Sequence, residues 1–332
     1  MSLLDEIKEA GLVGRGGAAY PSWKKWEAVK NAPGAKKYVV CNASEGELGL
    51  FKDLYILKHY PRQVFEGMKL AMDFLGTKEG YINFNKNYLD EVRNQVTFTV
   101  RQFANKGYNL HLFEEHPSYI GGEETALLEA IEGRRTQPRL KPPYPSDSGL
   151  FECPTLIHNV ETLYNIALVA EEKYEQKRFY CLSENGKELG VFHYPDSWSV
   201  DQVLEEAKCK PPFDYFVQIG GSASGLVITK EQAKEQTMIG AGSIEAYPID
   251  IDARTLLKRW FDFYAAESCG KCTPCRFGSY NLSHFAHDDR AIDWGAIMKI
   301  VEAMEATSFC ALGRSVGVPV RSFRKNILNL ED

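Results

Sequence analysis

The amino-acid sequence predicts an α/β protein with a helical C-terminal end, and three observations carry that expectation. Short apolar strands alternate with amphipathic helical stretches through residues 1–175, which favours a parallel sheet covered by helices. Two strand-like runs then flank Asn185-Gly186, a dipeptide that favours a tight hairpin, so a β-grasp-like domain is expected over residues 176–252. Helical spacing dominates residues 253–332, and four of the eight cysteines fall there.

Ser2 and Asp5 form a capping pair for a first helix over residues 3–10, which stops where Gly11 and the Gly14-Arg15-Gly16-Gly17 loop begin. Residues 37–41 read as a short strand. Val64, Met68, Ala71 and Leu75 follow helical spacing between Pro61 and a stop at Gly76. A strand over 81–84, a helix carrying Leu89, Val92, Val96 and Phe103, and a strand over 109–113 continue the alternation. Further helices are expected after Gly122 and after Asn159, whose side chain suits an N-cap for residues 160–170. In the second domain, strands over 178–183 and 189–194 precede a helix over 200–208 capped by Ser199 and Gln202. A strand over 215–219 follows. Periodic stretches over 256–266 and 292–304 are expected to pack as a bundle around the cysteine region.

At 332 residues the chain is long enough for two or three domains. Lys plus Arg number 39 against 45 Asp plus Glu, a net charge of −6 that leaves no electrostatic footprint for nucleic acid or an anionic membrane. No apolar run reaches the ~18 residues of a membrane helix, and residues 1–8 lack a signal-peptide layout, so a cytoplasmic protein is expected. Eight cysteines are too few for a disulfide scaffold in a chain of this length.

Cys269, Cys272 and Cys275 form a C-x-x-C-x-x-C run, with Cys310 able to fold back as a fourth ligand. Thiolates at this pitch reach three corners of one iron-sulfur cluster. Structural zinc is the competing reading, although zinc more often gathers two separate C-x-x-C pairs. Cys41, Cys153, Cys181 and Cys209 are scattered and read as packing residues.

Glycines at 14, 16 and 17 let backbone N–H groups approach a phosphate or a flat ring, although the loop lacks the dinucleotide-binding spacing and a plain flexible loop fits equally. Lys25 and Trp26 add a cation and an aromatic face. Residues 41–47 follow a strand end, where open α/β sheets bind ligands, and their carboxylates either accept hydrogen bonds from a ligand or form a solvated acidic turn. Gly121-Gly122-Glu123-Glu124-Thr125 opens a helix where acidic residues suit the dipole, and Asn159 begins another whose N–H groups can hold a phosphate.

Taken together, GRGGAAYPSWKKW, NASEGELGLFKD, YIGGEETALLEAIEGRRTQPRLKPPYP, HNVETL, ESCGKCTPCR and SFCALG closely resemble the NADH-binding flavoprotein subunit of respiratory complex I and its relatives in soluble hydrogenases and formate dehydrogenases. The segments occur in the family's order across nearly the whole chain. The resemblance implies a Rossmann-like domain for FMN and NADH, a small β-grasp domain of the soluble-ligand-binding type, and a helical bundle holding a 4Fe-4S cluster on Cys269, Cys272, Cys275 and Cys310. It places Gly14, Gly16, Asn42, Ser44, Glu45, Gly122, Glu123, His158 and Asn159 at FMN. It places Tyr20, Lys25, Glu47, Tyr119, Glu124 and Tyr144 at the nicotinamide nucleotide, NAD(H) or NADP(H). Hydride transfer to a flavin needs alignment and no side-chain acid or base. The implied role is electron transfer between NAD(P)H and other iron-sulfur redox subunits of a hetero-oligomeric complex, with a flavin-free iron-sulfur conduit or assembly module as the alternative.

Three positions depart from the family's pattern. Ser44 stands where an aspartate is usual near the flavin ribityl chain, His158 replaces the first asparagine of an Asn-Asn pair, and Ala28 replaces an aromatic expected near adenine, where Trp23 offers another ring. The chain carries no second cysteine set for a 2Fe-2S cluster, so electrons leaving the 4Fe-4S centre are expected to pass to another polypeptide.

Overall fold

The computed structural model describes residues 2–116 and 118–330. They form two compact units, one of residues 1–46 and 51–175 and the other of residues 47–50 and 176–332.

The first unit opens with α1 (Leu3–Glu9). Ser2 Oγ accepts the Asp5 N–H and the Asp5 carboxylate accepts the Ser2 N–H, the reciprocal cap that the spacing predicts. Next come α2 (Ser22–Asn31), β1 (Tyr38–Ala43), α3 (Lys52–His59) and α4 (Pro61–Leu75). They are followed by β2 (Glu79–Asn85), α5 (Lys86–Ala104), β3 (Asn109–Glu115), α6 (Glu124–Ile131), β4 (Thr155–Asn159) and α7 (Val160–Ala170). The four strands pair in the order β3-β2-β1-β4, all parallel, with helices as crossovers. Such a sheet gathers the C-terminal ends of its strands along one edge, where open α/β folds bind ligands.

Three elements of this unit lie outside the periodicity argument. The helix α2 buries only Ser22, Trp26 and Val29, a thin stripe among lysines. In α3 the first-turn residues Lys52 and Asp53 are themselves buried, so charge stands where an apolar pattern would be sought. The strand β4 is a run of five that ends in the cap of the next helix.

Two helices of this unit touch through a glycine. A Cβ built on Gly67 in α4 would lie 1.9 Å from the Leu163 carbonyl oxygen of α7. Gly67→Ala is therefore expected to push the helices apart and cost about 1–3 kcal/mol, read as a lowered urea midpoint with an unchanged slope.

In the second unit β5 (Lys177–Glu184), β6 (Lys187–Pro195), α8 (Val200–Glu206) and β7 (Tyr215–Ile219) appear in the expected order. Asn185 and Gly186 both take positive φ, as the tight hairpin requires. The helix α8 stops at Glu206, two residues short of the expected end, and Lys208 sits at φ 55°. Two strands missing from the sequence reading, β8 (Leu226–Thr229) and β9 (Ser243–Pro248), complete a five-stranded sheet. Its order is β6-β5-β9-β7-β8, with β9 parallel to β5 and antiparallel to β7. Val200, Val203 and Leu204 of α8 pack on Tyr180, Leu182, Val217 and Ile219, the arrangement of a β-grasp fold.

The chain ends in α9 (Ala253–Glu267), α10 (Thr273–His287), α11 (Trp294–Thr307), α12 (Ala311–Ser315) and α13 (Gly317–Asn326). Buried polar contacts bind these helices to the sheet of the same unit. Trp260 Nε1 donates to Gln218 Oε1 at 3.1 Å, and the Val227 N–H donates to Ser322 Oγ at 2.9 Å. Among the described residues no helix is long and apolar enough to cross a membrane.

Candidate functional site

The glycine-rich loop is closed at its base and open at its tip. Val13 and Pro21 form an isolated bridge, and the Gly14 N–H donates to the Tyr20 carbonyl at 2.9 Å. The Arg15 N–H donates to Thr162 Oγ1 at the start of α7. Gly16 thus lies against Asn159, and a Cβ there would come within 3.3 Å of the Asn159 Cβ. From the end of β1, Asn42 Nδ2 donates to the Gly122 carbonyl at 2.9 Å, while a Cβ on Gly122 would meet the Ser44 carbonyl at 3.2 Å. Gly14, Gly16, Asn42, Ser44, Glu45, Gly122, Glu123, His158 and Asn159 are thereby brought together at the C-terminal edge of the parallel sheet.

Behind this cradle lies a buried charge cluster centred on Lys52, whose Nζ is 2.6 Å from Asp53 Oδ1, 3.3 Å from Glu161 Oε2 and 3.4 Å from Asn159 Oδ1. Asn159 Nδ2 donates to Asp53 Oδ2 at 2.5 Å, and Asn159 Oδ1 also accepts the Glu161 N–H as the cap of α7. Glu45 Oε2 accepts the Asp53 N–H at 2.9 Å. The cluster fixes both Glu45 and Asn159. Burial first, and then the Asp53 charge, push the Glu45 carboxyl up to about 8, against the pull of Lys52.

A pH dependence follows from that shift. Unfolded Glu45 loses its proton near 4.5, whereas folded Glu45 keeps it to about 8. The folded state thus binds more protons across this window, and stability falls as pH rises through it. Thermal unfolding of the FMN-free chain between those pH values is expected to show the decline, and Glu45→Gln to flatten it.

On the other side of the cradle, Glu123 caps α6 by accepting the Thr125 and Ala126 N–H groups. Lys141 Nζ bridges Glu123 at 2.7 Å and Glu124 at 2.9 Å, and Lys25 Nζ reaches Glu124 at 3.3 Å. Burial opposes ionisation of Glu124, but the Lys25 and Lys141 ammonium groups outweigh it and hold the carboxyl below its ordinary range. Tyr20 and Tyr144 are 49% and 52% exposed, unusual for rings of this size. Tyr119 immediately precedes the short 3₁₀ turn Ile120–Gly122. Glu47 belongs to the second unit, where its carboxylate accepts the Ala223 N–H at 3.0 Å and the Ser224 hydroxyl at 2.5 Å.

His158 is buried, and its Nε2 accepts the Trp26 indole N–H at 2.9 Å. Burial first, then the Lys25 charge, drive its pKa down to about 3, so the ring is neutral and carries its proton on Nδ1. The ring of Trp23 carries Lys8 and Lys24 ammonium groups 4.9 and 5.5 Å from its centroid.

Three of the four C-terminal cysteines sit at helix beginnings of the second unit, and Cys269 directly follows the C-cap of α9. Cys272 is the N-cap of α10 and Cys275 lies in its first turn, while Cys310 is the N-cap of α12. A Cβ on Gly313 of α12 would come 3.1 Å from the Cys275 Cβ. Burial first, against a 3.4 Å contact with Ser268 Oγ and with the Cys272, Cys310 and Cys269 thiols adding to it, pushes the Cys275 thiol up to about 11. The four sulfurs therefore act on one another. Among the described residues no group of three or more His, Cys, Asp or Glu side chains is placed to hold a single metal ion. All eight cysteines are free thiols.

Both sites fit the groups that the sequence implies. Glycine-lined surfaces, asparagine amides and buried carboxylate oxygens without partners, Glu45 Oε1 among them, suit a phosphate-bearing, polyhydroxylated ligand. Four thiols, three of them at two helix starts where N–H groups and the dipole favour negative charge, suit a thiolate-bound cluster.

Sequence reasoning left four contributors unassigned: Lys52, Glu161, Lys141 and Glu115. Lys52, Glu161 and Lys141 each lie within a segment that matched the family, the one signal that could have found them, whereas Glu115 lies outside all of those segments.

A parallel-sheet nucleotide fold joined to a β-grasp sheet and a four-cysteine helical region defines a flavin and iron-sulfur protein. The Nuo51 FMN-binding domain family matches residues 7–168, and the NADH-ubiquinone oxidoreductase-F iron-sulfur binding region matches residues 255–327. The chain belongs to the family of NADH-quinone oxidoreductase F subunits. It is 32% identical to the F 2 subunit of NADH-quinone oxidoreductase of Rhizobium meliloti (strain 1021), with 98% of this chain and 86% of that protein covered. It is 30% identical to the corresponding F subunit of Streptomyces coelicolor, covering 97% of this chain and 80% of that one. Among solved structures, a chain of an NAD+-reducing [NiFe]-hydrogenase in the H2-reduced state superposes with a TM-score of 0.88 at 28% identity over 99% of this chain. The chain spans 62% of that hydrogenase chain.

Proposed function

We propose that this chain is the NAD(P)H-oxidising subunit of a hetero-oligomeric oxidoreductase, moving electrons between the nicotinamide nucleotide and partner iron-sulfur subunits. FMN in the first unit and one 4Fe-4S cluster in the second serve as its redox groups. The observation that carries the reading is the convergence of Gly16, Asn42, Ser44, Glu45, Gly122 and Asn159 at the strand ends, each held there by a named contact. When bound, FMN accepts a hydride and the cluster exchanges single electrons.

The residues supply binding and alignment. Asn42 and the Glu45 and Asn159 side chains are held by their own hydrogen bonds before any ligand arrives, so little ordering remains to be done. Neutral His158, with its proton on Nδ1, presents a hydrogen-bond donor without adding positive charge. Tyr20 and Tyr144 offer exposed ring faces, and Lys25 with Glu124 offers a paired charge, to the nucleotide. In the second unit we assign Cys269, Cys272, Cys275 and Cys310 as the cluster ligands. Residues 176–252 and 253–332 are proposed as separate functional parts, the β-grasp and cluster-bearing regions. The free cysteines and the absence of a spanning helix among the described residues support a cytoplasmic setting.

Steady-state NAD(P)H oxidation by the anaerobically prepared chain, with ferricyanide as electron acceptor, tests the assignment. Lys25→Met is expected to raise the nucleotide KM about tenfold while leaving flavin content unchanged. Iron without flavin, and no NAD(P)H oxidation, would identify a flavin-free conduit instead.

A further inference from the structure

Beside the flavin cradle stands a carboxylate that the sequence reading did not count. Glu115 is the last residue of β3 and is 4% exposed. Its Oε2 accepts Ser44 Oγ–H at 2.5 Å and Asn83 Nδ2–H at 2.6 Å. Its Oε1 is equally buried and has no hydrogen-bond partner, and neither has Asn83 Oδ1 beside it. A buried carboxylate oxygen left unsatisfied is costly, and such atoms call for an explanation.

The surrounding backbone makes room for that oxygen. A Cβ on residue 121 would fall 1.9 Å from Glu115 Oε1, so any side chain there would displace the carboxylate from this position. Gly121 adjoins Gly122, whose carbonyl takes the Asn42 amide and whose Cα faces the Ser44 carbonyl. Glu115 therefore reaches the site through Ser44, the position at which the family's pattern calls for an acid. The acid is present, but it comes from β3, which lies beyond β2 from the strand that leads to Ser44.

We propose that Glu115 is a flavin-positioning residue: its carboxylate holds the Ser44 hydroxyl and the Asn83 amide and packs against the Gly121-Gly122 turn, and so sets the wall of the cradle that the ribityl chain of FMN lies against. The inference rests on the FMN reading above. Burial raises the Glu115 carboxyl against the bonds from Ser44 and Asn83.

The test is FMN affinity of the purified apo chain, measured by quenching of FMN fluorescence with apo-protein thermal stability alongside. Glu115→Ala is expected to weaken FMN binding about tenfold, because the charged hydrogen bond that fixes Ser44 against the cradle is lost. Ser44→Asp alone is expected to weaken it too, because two carboxylates then crowd one buried site. Combined Ser44→Asp and Glu115→Ala is expected to recover affinity to within about threefold of wild type, since the acid is restored from the other strand. A purely structural role would leave the double variant no better than Glu115→Ala, and that result overturns the proposal. Should Glu115→Ala fail to fold, the isosteric Glu115→Gln decides the matter. It is expected to bind FMN more weakly at unchanged apo stability, and wild-type affinity in that variant overturns the proposal. Wild-type protein that takes up no FMN at all removes the functional reading itself, and this inference with it.

Discussion

Lys52→Met is expected to destabilise the chain by about 3–5 kcal/mol, because it strands buried carboxylates that now share one ammonium group. The lysine side chain is 1% exposed, and Asp53 and Glu161 beside it are 3% and 0% exposed. Solvent screening therefore gives no relief. Burial by itself would lower the Lys52 pKa, yet Asp53, Glu161 and Glu45 together hold the ammonium well above its ordinary range. In the variant the same carboxyls must carry their charge without a counter-ion or take up protons. Folded-state proton uptake then exceeds that of the unfolded chain, so the deficit should be largest near neutral pH and shrink as pH falls. Urea unfolding at two pH values reads this directly. Because Lys52 also contacts Asn159, and Asp53 holds the Asn159 amide, FMN binding should weaken in parallel.

Cys310→Ala is expected to remove the cluster. The remote fourth thiol sits at the start of α12, and the other three lie in and before the first turn of α10. Without Cys310 the cluster loses the ligand that ties α12 to α10, and thiolate ligation is what holds such a centre. Iron should fall from about four atoms per chain to less than about one, with acid-labile sulfide falling alongside. Cys153→Ser and Cys209→Ser, which change thiols in other parts of the chain, should keep both. Full iron retention in Cys310→Ala would remove that cysteine from the ligand set.

Much of the fold was legible because apolar spacing and caps coincided. The Ser2–Asp5 and Ser199–Gln202 boxes, the Pro61 start and Gly76 stop of α4, and the Asn185-Gly186 hairpin are local signals whose physics does not depend on distant contacts. The elements that escaped are those whose burial is decided elsewhere. The helix α3 turns a Lys-Asp pair inward because Glu161 and Asn159, more than a hundred residues away, receive it. The strand β9 joins β5 and β7, and neither contact is visible in its own short run.

The site divides in the same way. The cysteine spacing announced its chemistry, and the glycine and acidic segments became specific only when read jointly. Ser44 and His158 looked like losses in the sequence. In the structure Ser44 supports the Glu115 carboxylate and His158 accepts the Trp26 indole, pairings that link residues 71 and 132 positions apart. No local pattern could have joined them.

The central claim is that one chain couples a two-electron donor to a one-electron centre. An anaerobic titration of the flavin- and cluster-loaded protein with NADH, followed by absorbance, tests it most directly. NADH is expected to bleach the flavin bands and lower the broad iron-sulfur absorbance in the same titration. A loaded protein in which excess NADH and NADPH leave both features unchanged would contradict it.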